Sequence, residues 1–287
     1  MNIVKTHNLA CPIDGKSLNI RDQQLVCEQG HTFDIARQGY VNLLPVQHKR
    51  SKQPGDSKEM ILARTQFLDS RCYEPIANKL AAIVVDQISD NNEICLMDAG
   101  CGEGYYLDYI FNVLKDKPGC NDLSLVGLDI SKAAIVQSAK RNKLITWVVG
   151  TNRQPPVDDG SVDIILCLFG FQSLNVFYKK LKPDGKVILV DPGAEHLKEL
   201  RKIIYAEVKQ SEPQDLSDIE ESEFLLIDRQ SLNYKMGEIK REQLSNLLIM
   251  TPHFYRATKA GKEAAAKVNQ LDLTVDVVFR VLEKSNE

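Results

Sequence analysis

The sequence predicts an α/β protein, a Rossmann-like, doubly wound and mainly parallel sheet behind a small loop-rich module. Three observations predict it. From residue 94 onward, apolar runs of strand length alternate with stretches of helix length. Two of those runs, Leu96-Met97-Asp98 and Leu125-Val126-Gly127-Leu128-Asp129, end in an acid. The first continues into Gly100-Cys101-Gly102-Glu103-Gly104, where glycine lets a strand turn sharply into a helix and lets a ligand reach the backbone amides.

In chain order, residues 1 to about 45 carry turn signals at Cys11-Pro12-Ile13-Asp14-Gly15 and Gln29-Gly30-His31, with a short strand at Leu25-Val26-Cys27. His48 to Asp56 is basic and rich in breakers, the composition of a linker. Helices are expected over 57–69 and 73–88, the second from the spacing of Ile76, Leu80, Ile83 and Val84. Strands at 94–98, 124–129, 145–149, 162–168 and 186–191 then alternate with helices near 103–115, 131–142, 173–181 and 194–209. The acidic 212–223 reads as a loop. A strand near 224–229, a helix near 239–249 and an alternating strand at 273–282 complete the sheet. This divides the chain into a front module at 1–45, a linker with helices at 46–90 and a main domain at 91–287.

At 287 residues there is room for one large domain with an appendage, and 43% apolar with 26% charged residues is globular composition. No apolar run approaches the ~18 residues of a membrane span, and the first residues lack the basic-then-apolar order of a signal peptide. The expected location is the cytoplasm, with no membrane partner. Seven cysteines at 11, 27, 72, 95, 101, 120 and 167 are then expected reduced, so clustered ones suggest metal and not disulfide. Residues 1–71 hold ten Lys/Arg and seven Asp/Glu, a net of +3, which leaves −6 of the overall −3 for the remainder. Contact with a polyanion therefore belongs near the front.

The glycine spacing separates two cofactor classes. A dinucleotide loop uses Gly-x-Gly-x-x-Gly, whereas Gly100, Gly102 and Gly104 alternate strictly behind Asp98. That pattern resembles S-adenosylmethionine-dependent methyltransferases. The resemblance implies that Asp98 positions the methionine end or its bound water. Asp129 sits where a carboxylate accepts hydrogen bonds from two ribose hydroxyls. Thr151 and Asn152, past the strand at 145–149, are counted with this site. The bland alternative is a βα turn with no ligand.

Cys11, Cys27 and His31 suggest a small zinc-ribbon-like site, since a tetrahedral ion takes its ligands from pairs a few residues apart. Cys27-x3-His31 fits. The other pair reads Cys11-Pro12-Ile13-Asp14, with a hard carboxylate where a second thiolate is expected. Three readings stay open: Asp14 completes a weaker site, the zinc is lost, or the two cysteines are simply small buried apolar residues.

The order Cys11, Asp14, Cys27, His31 leads into Thr32-Phe33-Asp34-Ile35-Ala36, Gly39-Tyr40-Val41-Asn42-Leu43-Leu44, Gln47-His48-Lys49-Arg50 and Pro54-Gly55-Asp56-Ser57. With Phe67-Leu68-Asp69, Tyr73, Asp98 to Tyr106, Gly127 to Lys132, Pro192-Gly193, His196-Leu197 and Met250-Thr251-Pro252, it resembles the bacterial 23S rRNA guanine-N1 methyltransferases, the RlmA group, over nearly the whole chain. The resemblance implies methyl transfer from S-adenosylmethionine to N1 of a guanine in hairpin 35 of 23S rRNA. It also implies a zinc module that helps hold the RNA, a homodimer, and Tyr73, Cys101, Gly102 and His196 at the cofactor. Asp14 departs from the family's second cysteine, and Leu166-Cys167-Leu168-Phe169-Gly170-Phe171-Gln172 departs from the pattern expected at the base pocket.

N1 of guanine is a poor nucleophile until it loses its proton, so such an enzyme must align the reactants and find an acceptor. Asp191 and His196, at strand ends, are the candidate acceptors, each equally readable as a cap or a positioning group. Phe169, Phe171 and Tyr106 are aromatics that would stack on a base, though any one reads equally as core. Arg37, His48, Lys49, Arg50 and Lys52 are the candidate phosphate contacts. Two other functions share parts of this pattern: a small-molecule methyltransferase, which needs no basic linker, and a non-catalytic RNA-binding relative, which needs no intact glycine loop.

Overall fold

A topological switch point lies at the centre of the molecule. The computed structural model describes residues 7–45, 54–88, 93–118, 122–205, 219 and 221–285. The small front sheet is antiparallel: β1 (Asn19–Arg21), β2 (Gln24–Val26) and β3 (Thr32–Asp34). There follow β4 (Tyr40–Asn42), α1 (Lys58–Asp69), α2 (Glu74–Gln87), β5 (Glu93–Ala99), α3 (Tyr105–Leu114), β6 (Asp122–Asp129), α4 (Lys132–Arg141) and β7 (Thr146–Val149). The chain continues through β8 (Val162–Leu168), α5 (Leu174–Lys180), β9 (Leu181–Pro192), α6 (Lys198–Ile204), β10 (Phe224–Lys240), α7 (Arg241–Met250), α8 (His253–Arg256), α9 (Lys259–Ala266) and β11 (Gln270–Lys284).

The main sheet runs β10-β11-β9-β8-β5-β6-β7-β4. Strands β9, β8, β5, β6, β7 and β4 are parallel, and β11 is antiparallel to both its neighbours. The order reverses on either side of β5, so the crevice for a ligand opens at the C-terminal end of that strand, where Asp98 and the glycines stand.

A parallel sheet must be covered on both faces. One face packs Leu96, Leu166, Ile188 and Phe279 beneath α1, α2, α3, α4, α6 and α7. The other packs Met97, Val126, Ile165 and Val187 against Phe177 of α5 and against Leu9, Cys11, Leu18 and Leu25 of the front module. The front module thus does the work of a helix layer. Tyr40–Asn42, which the sequence reading assigns to the module, pairs with Trp147–Val149 and extends the main sheet, burying Tyr40 and Val41.

The elements expected from periodicity coincide with the observed ones to within a few residues, apart from α6, which stops at Ile204. β10 runs to Lys240, beyond the strand expected near 224–229, and α9 was not anticipated. Helix starts follow local chemistry: the Ser57 hydroxyl accepts from the Met60 amide at 3.2 Å, and the Ser131 hydroxyl accepts from the Ala134 amide at 3.3 Å. Gly104 opens α3 in left-handed backbone, and a β-carbon there would lie 2.7 Å from the Trp147 ring.

Candidate active site and metal centre

The glycine loop is built from β5, β6 and the start of α3. The Gly100 and Cys101 amides both donate to the Leu128 carbonyl, at 2.8 and 3.0 Å, which turns the chain back over the end of β6. A β-carbon on Gly100 would meet nothing nearer than the Asn152 amide nitrogen at 3.8 Å, so the space above this turn is open. Asp129 accepts from the Gly102 amide (3.0 Å) and the Ser131 amide (2.7 Å), which ties the loop to the N-terminus of α4. Burial raises its pKa.

Asp98 is 1% exposed, and its Oδ1 has no hydrogen-bond partner among the described residues. Burial, then the charges of Asp129 and Glu103, push its carboxyl up to about 8. A buried carboxylate oxygen left without a donor costs the fold, and a cationic or N–H-bearing ligand would relieve it. Tyr106 has a second buried orphan, its hydroxyl. Open space over Gly100 and orphaned polar atoms around it fit a cofactor with an ammonium group and ribose hydroxyls.

Two further groups frame the loop. Asn152 donates to the carbonyls of Ala99 and Phe171, both at 3.0 Å, and so joins the β5 and β8 loops. The Thr151 hydroxyl accepts from the Arg153 amide at 3.3 Å, within its own turn. Arg64 of α1, which no motif in the sequence picked out, lies over Gly102 and pairs with Asp56 at 2.7 Å. Buried Glu103 pairs with Arg141 (2.8 Å), which also holds Asp69 (2.9 Å), fixing α1 and α4 to the loop.

The second wall joins residues far apart in sequence. Tyr73, at the head of α2, brings its hydroxyl to 3.3 Å from His196 Nε2. His196 Nδ1 accepts from the Asp276 amide at 3.3 Å. A nitrogen that accepts from an amide carries no proton, so the neutral ring has its proton on Nε2, facing Tyr73. Burial, then the neighbouring His253, hold this ring down to about 4. Phe169 lies near parallel to it, at 27° with centroids 6.3 Å apart. Asp191 is held by Arg280 and by Gln172, whose amide donates to both carboxylate oxygens at 3.1 and 3.0 Å. Both groups that the sequence offers as proton acceptors are therefore engaged: His196 at both ring nitrogens, and Asp191 in a buried ion pair.

The four metal candidates do converge. Cys11, Asp14, Cys27 and His31 each offer a ligand atom within 4.8 Å of the others. His31 Nδ1 lies 3.6 Å from Cys11 Sγ, 3.4 Å from Cys27 Sγ and 3.1 Å from Asp14 Oδ2, and Cys27 Sγ lies 3.4 Å from Asp14 Oδ2. Zinc bonds of about 2.3 Å to sulfur and about 2.0–2.1 Å to nitrogen and oxygen give tetrahedral edges of roughly 3.3–3.8 Å. The donor set fits zinc with Asp14 at the fourth corner, its other oxygen anchored by the Lys16 amide at 3.0 Å.

Of the phosphate candidates, Arg37 is exposed in the turn before β4, and His48, Lys49, Arg50 and Lys52 lie outside the described residues. A cleft of about 780 Å³ runs between α1 and α4 from Pro54 and Ile130. Lys58, Lys132 and Lys140 line it, and the N-termini of both helices, at Ser57 and Ser131, open into it. The sequence reading missed these lysines because each is unremarkable alone, although Ser131-Lys132 at a helix start was a usable signal.

Comparison with known proteins yields two domain matches: the family described as RlmA, N-terminal, over residues 9–52, and a methyltransferase domain over 97–189. The chain is 33% identical over 193 residues to the 23S rRNA (guanine(748)-N(1))-methyltransferase of Streptomyces fradiae, covering 67% of this chain and 66% of that one. It is 33% identical over 210 residues to a Micromonospora griseorubida protein provisionally named a 23S rRNA (guanine-N(1)-)-methyltransferase, covering 67% and 68%. It is also 28% identical over 274 residues to Bacillus subtilis YxjB, whose name carries the same activity provisionally, covering 93% and 94%.

Proposed function

Because the chain belongs to the family of 23S rRNA guanine-N1 methyltransferases, and is an S-adenosylmethionine-dependent rRNA methyltransferase, we propose that it methylates N1 of one guanine in hairpin 35 of 23S rRNA. The observation that carries the RNA reading is the front module, which matches the RlmA N-terminal family and shares with α5 the covering of one face of the main sheet.

When bound, S-adenosylmethionine supplies a methyl group already activated on a sulfonium. The chain's part is to bind, orient and exclude. Asp98 receives the ammonium of the methionine end, and Asp129 the ribose, over Gly100, Cys101, Gly102 and Gly104. Asn152, with Thr151, fixes the rim on which both depend. Tyr73 and His196 close the methionine end, His196 as a neutral N–H donor. Cys101 serves by its small size, its amide being engaged by the Leu128 carbonyl, and the transfer needs no covalent enzyme intermediate. Asp191 and His196 act as positioning groups, and the N1 proton is lost to water at the rim. Rate then comes mainly from in-line alignment.

The same reading gives zinc to Cys11, Asp14, Cys27 and His31, and RNA phosphates to Arg37, His48, Lys49, Arg50 and Lys52, with a homodimer working in the cytoplasm. The deciding experiment transfers methyl from labelled cofactor to unmodified 23S rRNA and maps the product by reverse-transcriptase arrest. One strong stop in hairpin 35 is expected, because a methyl on N1 blocks Watson–Crick pairing. Cofactor binding with no label in rRNA refutes the substrate.

A further inference from the structure

Resting on that reading, we infer that Phe169 is a substrate-binding residue, its ring the platform on which the target guanine stacks. The backbone points to it. Among the described residues, four that are not glycine have left-handed backbone: Asp22, Arg71, Phe169 and Leu197. Asp22 sits in the turn between β1 and β2, where aspartate is at ease. The other three belong to one cluster. Arg71 leads into Tyr73, Leu197 follows His196, and Phe169 stacks on His196. For bulky side chains this conformation is an outlier, and such outliers collect where function needs them.

Leu197 has a packing explanation. It is buried, and its amide donates to the Thr274 carbonyl at 2.8 Å, so the core fixes it and it aims His196. Phe169 has no such explanation. Its amide donates to the Val190 carbonyl at 2.8 Å, which pins the strained backbone, yet the residue is 42% exposed. A large apolar ring held partly in water by a strained turn serves neither packing nor backbone energy. It is backed by the His196 ring, which Tyr73 and the Asp276 amide hold in place. It stands at the end of β8, beside the β5 end that starts the glycine loop. Asn152 keeps those two loops together through Ala99 and Phe171. Phe171 is exposed too, but the Arg153 guanidinium covers its ring at 4.6 Å. Phe169 rests one face on His196 and presents the other to a base, and any base offers a face to stack.

The test uses the full chain, a hairpin 35 transcript with unmodified guanine, and a second transcript carrying 2-aminopurine at the target. Phe169→Gly and Phe169→Leu are compared with Phe169→Tyr. Stacking on an aromatic is lost in the first two, so kcat/KM for RNA falls about 5- to 150-fold. Phe169→Tyr stays near wild type. Cofactor Kd is unchanged in all three. The Tm of Phe169→Gly equals or exceeds that of wild type, because glycine adopts this backbone freely. The wild type alters the 2-aminopurine fluorescence, and the Gly and Leu variants do not. Methyl transfer by Phe169→Gly at the wild-type rate overturns the platform, as does a Tm that falls in step with activity, since the ring then serves the fold. A wild type that moves the 2-aminopurine signal but transfers no methyl overturns the proposed reaction and leaves the platform standing. Neither signal nor transfer overturns both.

Discussion

Replacing Asp98 by Asn tests the cofactor reading at its most exposed point. In the folded protein without ligand, burial and two neighbouring acids raise the Asp98 carboxyl from 3.8 to about 8. The native state therefore holds this proton between those two values while the unfolded state has lost it, so stability falls as pH rises through that window. At ~1.36 kcal/mol per pH unit over 8 − 3.8 = 4.2 units, at most about 6 kcal/mol is lost by pH 8. Asp98→Asn removes that dependence. Urea titrations of the ligand-free protein should show the variant gaining on wild type steadily from pH 5 to pH 8.5. The variant pays for this in cofactor binding, because a buried charge pair with one partner removed costs about 3–5 kcal/mol, roughly 150- to 5,000-fold in Kd. Binding also has a proton signature. At pH 7 the wild type should release about 0.9 proton as Asp98 ionises against the ammonium, read by calorimetry in two buffers of different ionisation enthalpy. Parallel stability curves for the two proteins, or binding with no proton release, would refute the reasoning.

Three shorter predictions follow from other parts of the site. Zinc measured by mass spectrometry should be about one per chain in wild type and in Asp14→Cys, and largely lost in Asp14→Ala, given the tetrahedral spacing of the four ligands; a metal-free wild type purified with zinc present would sink the site. Lys132→Ala and Lys140→Ala should each weaken RNA binding across sequences and reduce the slope of log K against log salt by about 0.7–0.9, and an unchanged slope would remove the cleft from the RNA path. His196, lowered to about 4, is neutral above pH 5, so kcat/KM should show no break between pH 6 and 7; a break there that His196→Gln abolishes would restore the ring as a base. For stability the sign is the reverse of Asp98, because protonating this buried ring costs the fold as pH falls from 6.5 toward 4.

Legibility in the sequence tracked how local each cause was. Asp98 and Gly100 to Gly104 are readable because the end of β5, the turn and the start of α3 lie within a single stretch of chain, and Asp129 likewise because the end of β6 runs directly into α4 with its cap at Ser131. The end of β10 was legible and was passed over: Leu232, Tyr234 and Met236 alternate with Ser231, Asn233 and Lys235, and the apolar set packs against the core from an edge strand. Helix α9 escaped because its buried face is made of small residues, Gly261 against the Ile204 backbone and Ala265 one turn on, with no large apolar side chain to mark it. The Tyr73–His196–Phe169 wall was only partly foreseen. Tyr73 and His196 are 123 residues apart, and only the strand order brings them together. The same limit hid Arg64, which a helix pattern presents as one more surface cation and which folding sets over Gly102.

The front module explains how a metal site could carry Asp14 at a corner where a zinc ribbon usually takes a thiolate without losing its place. In an isolated zinc finger, metal binding supplies much of the folding energy, so a weaker ligand threatens the fold itself. Here Leu9, Leu18 and Leu25 share a core with Met97, Val126 and Ile165, and that apolar contact remains whatever sits between Cys11 and His31. The module is also stitched to the 154–161 loop, by the Ala10 amide on the Pro156 carbonyl at 2.9 Å and the Asn8 amide group on the Ser161 hydroxyl at 2.9 Å. What the metal would shape is narrower, the turn from Cys11 to Asp14. Gln154 donates to the Pro12 carbonyl in that turn at 3.3 Å, and two residues earlier Asn152 joins the loops of the active rim. Removing metal should therefore disturb methyl transfer more than unfolding, because the ligand turn leans on the rim while the shared core carries the fold.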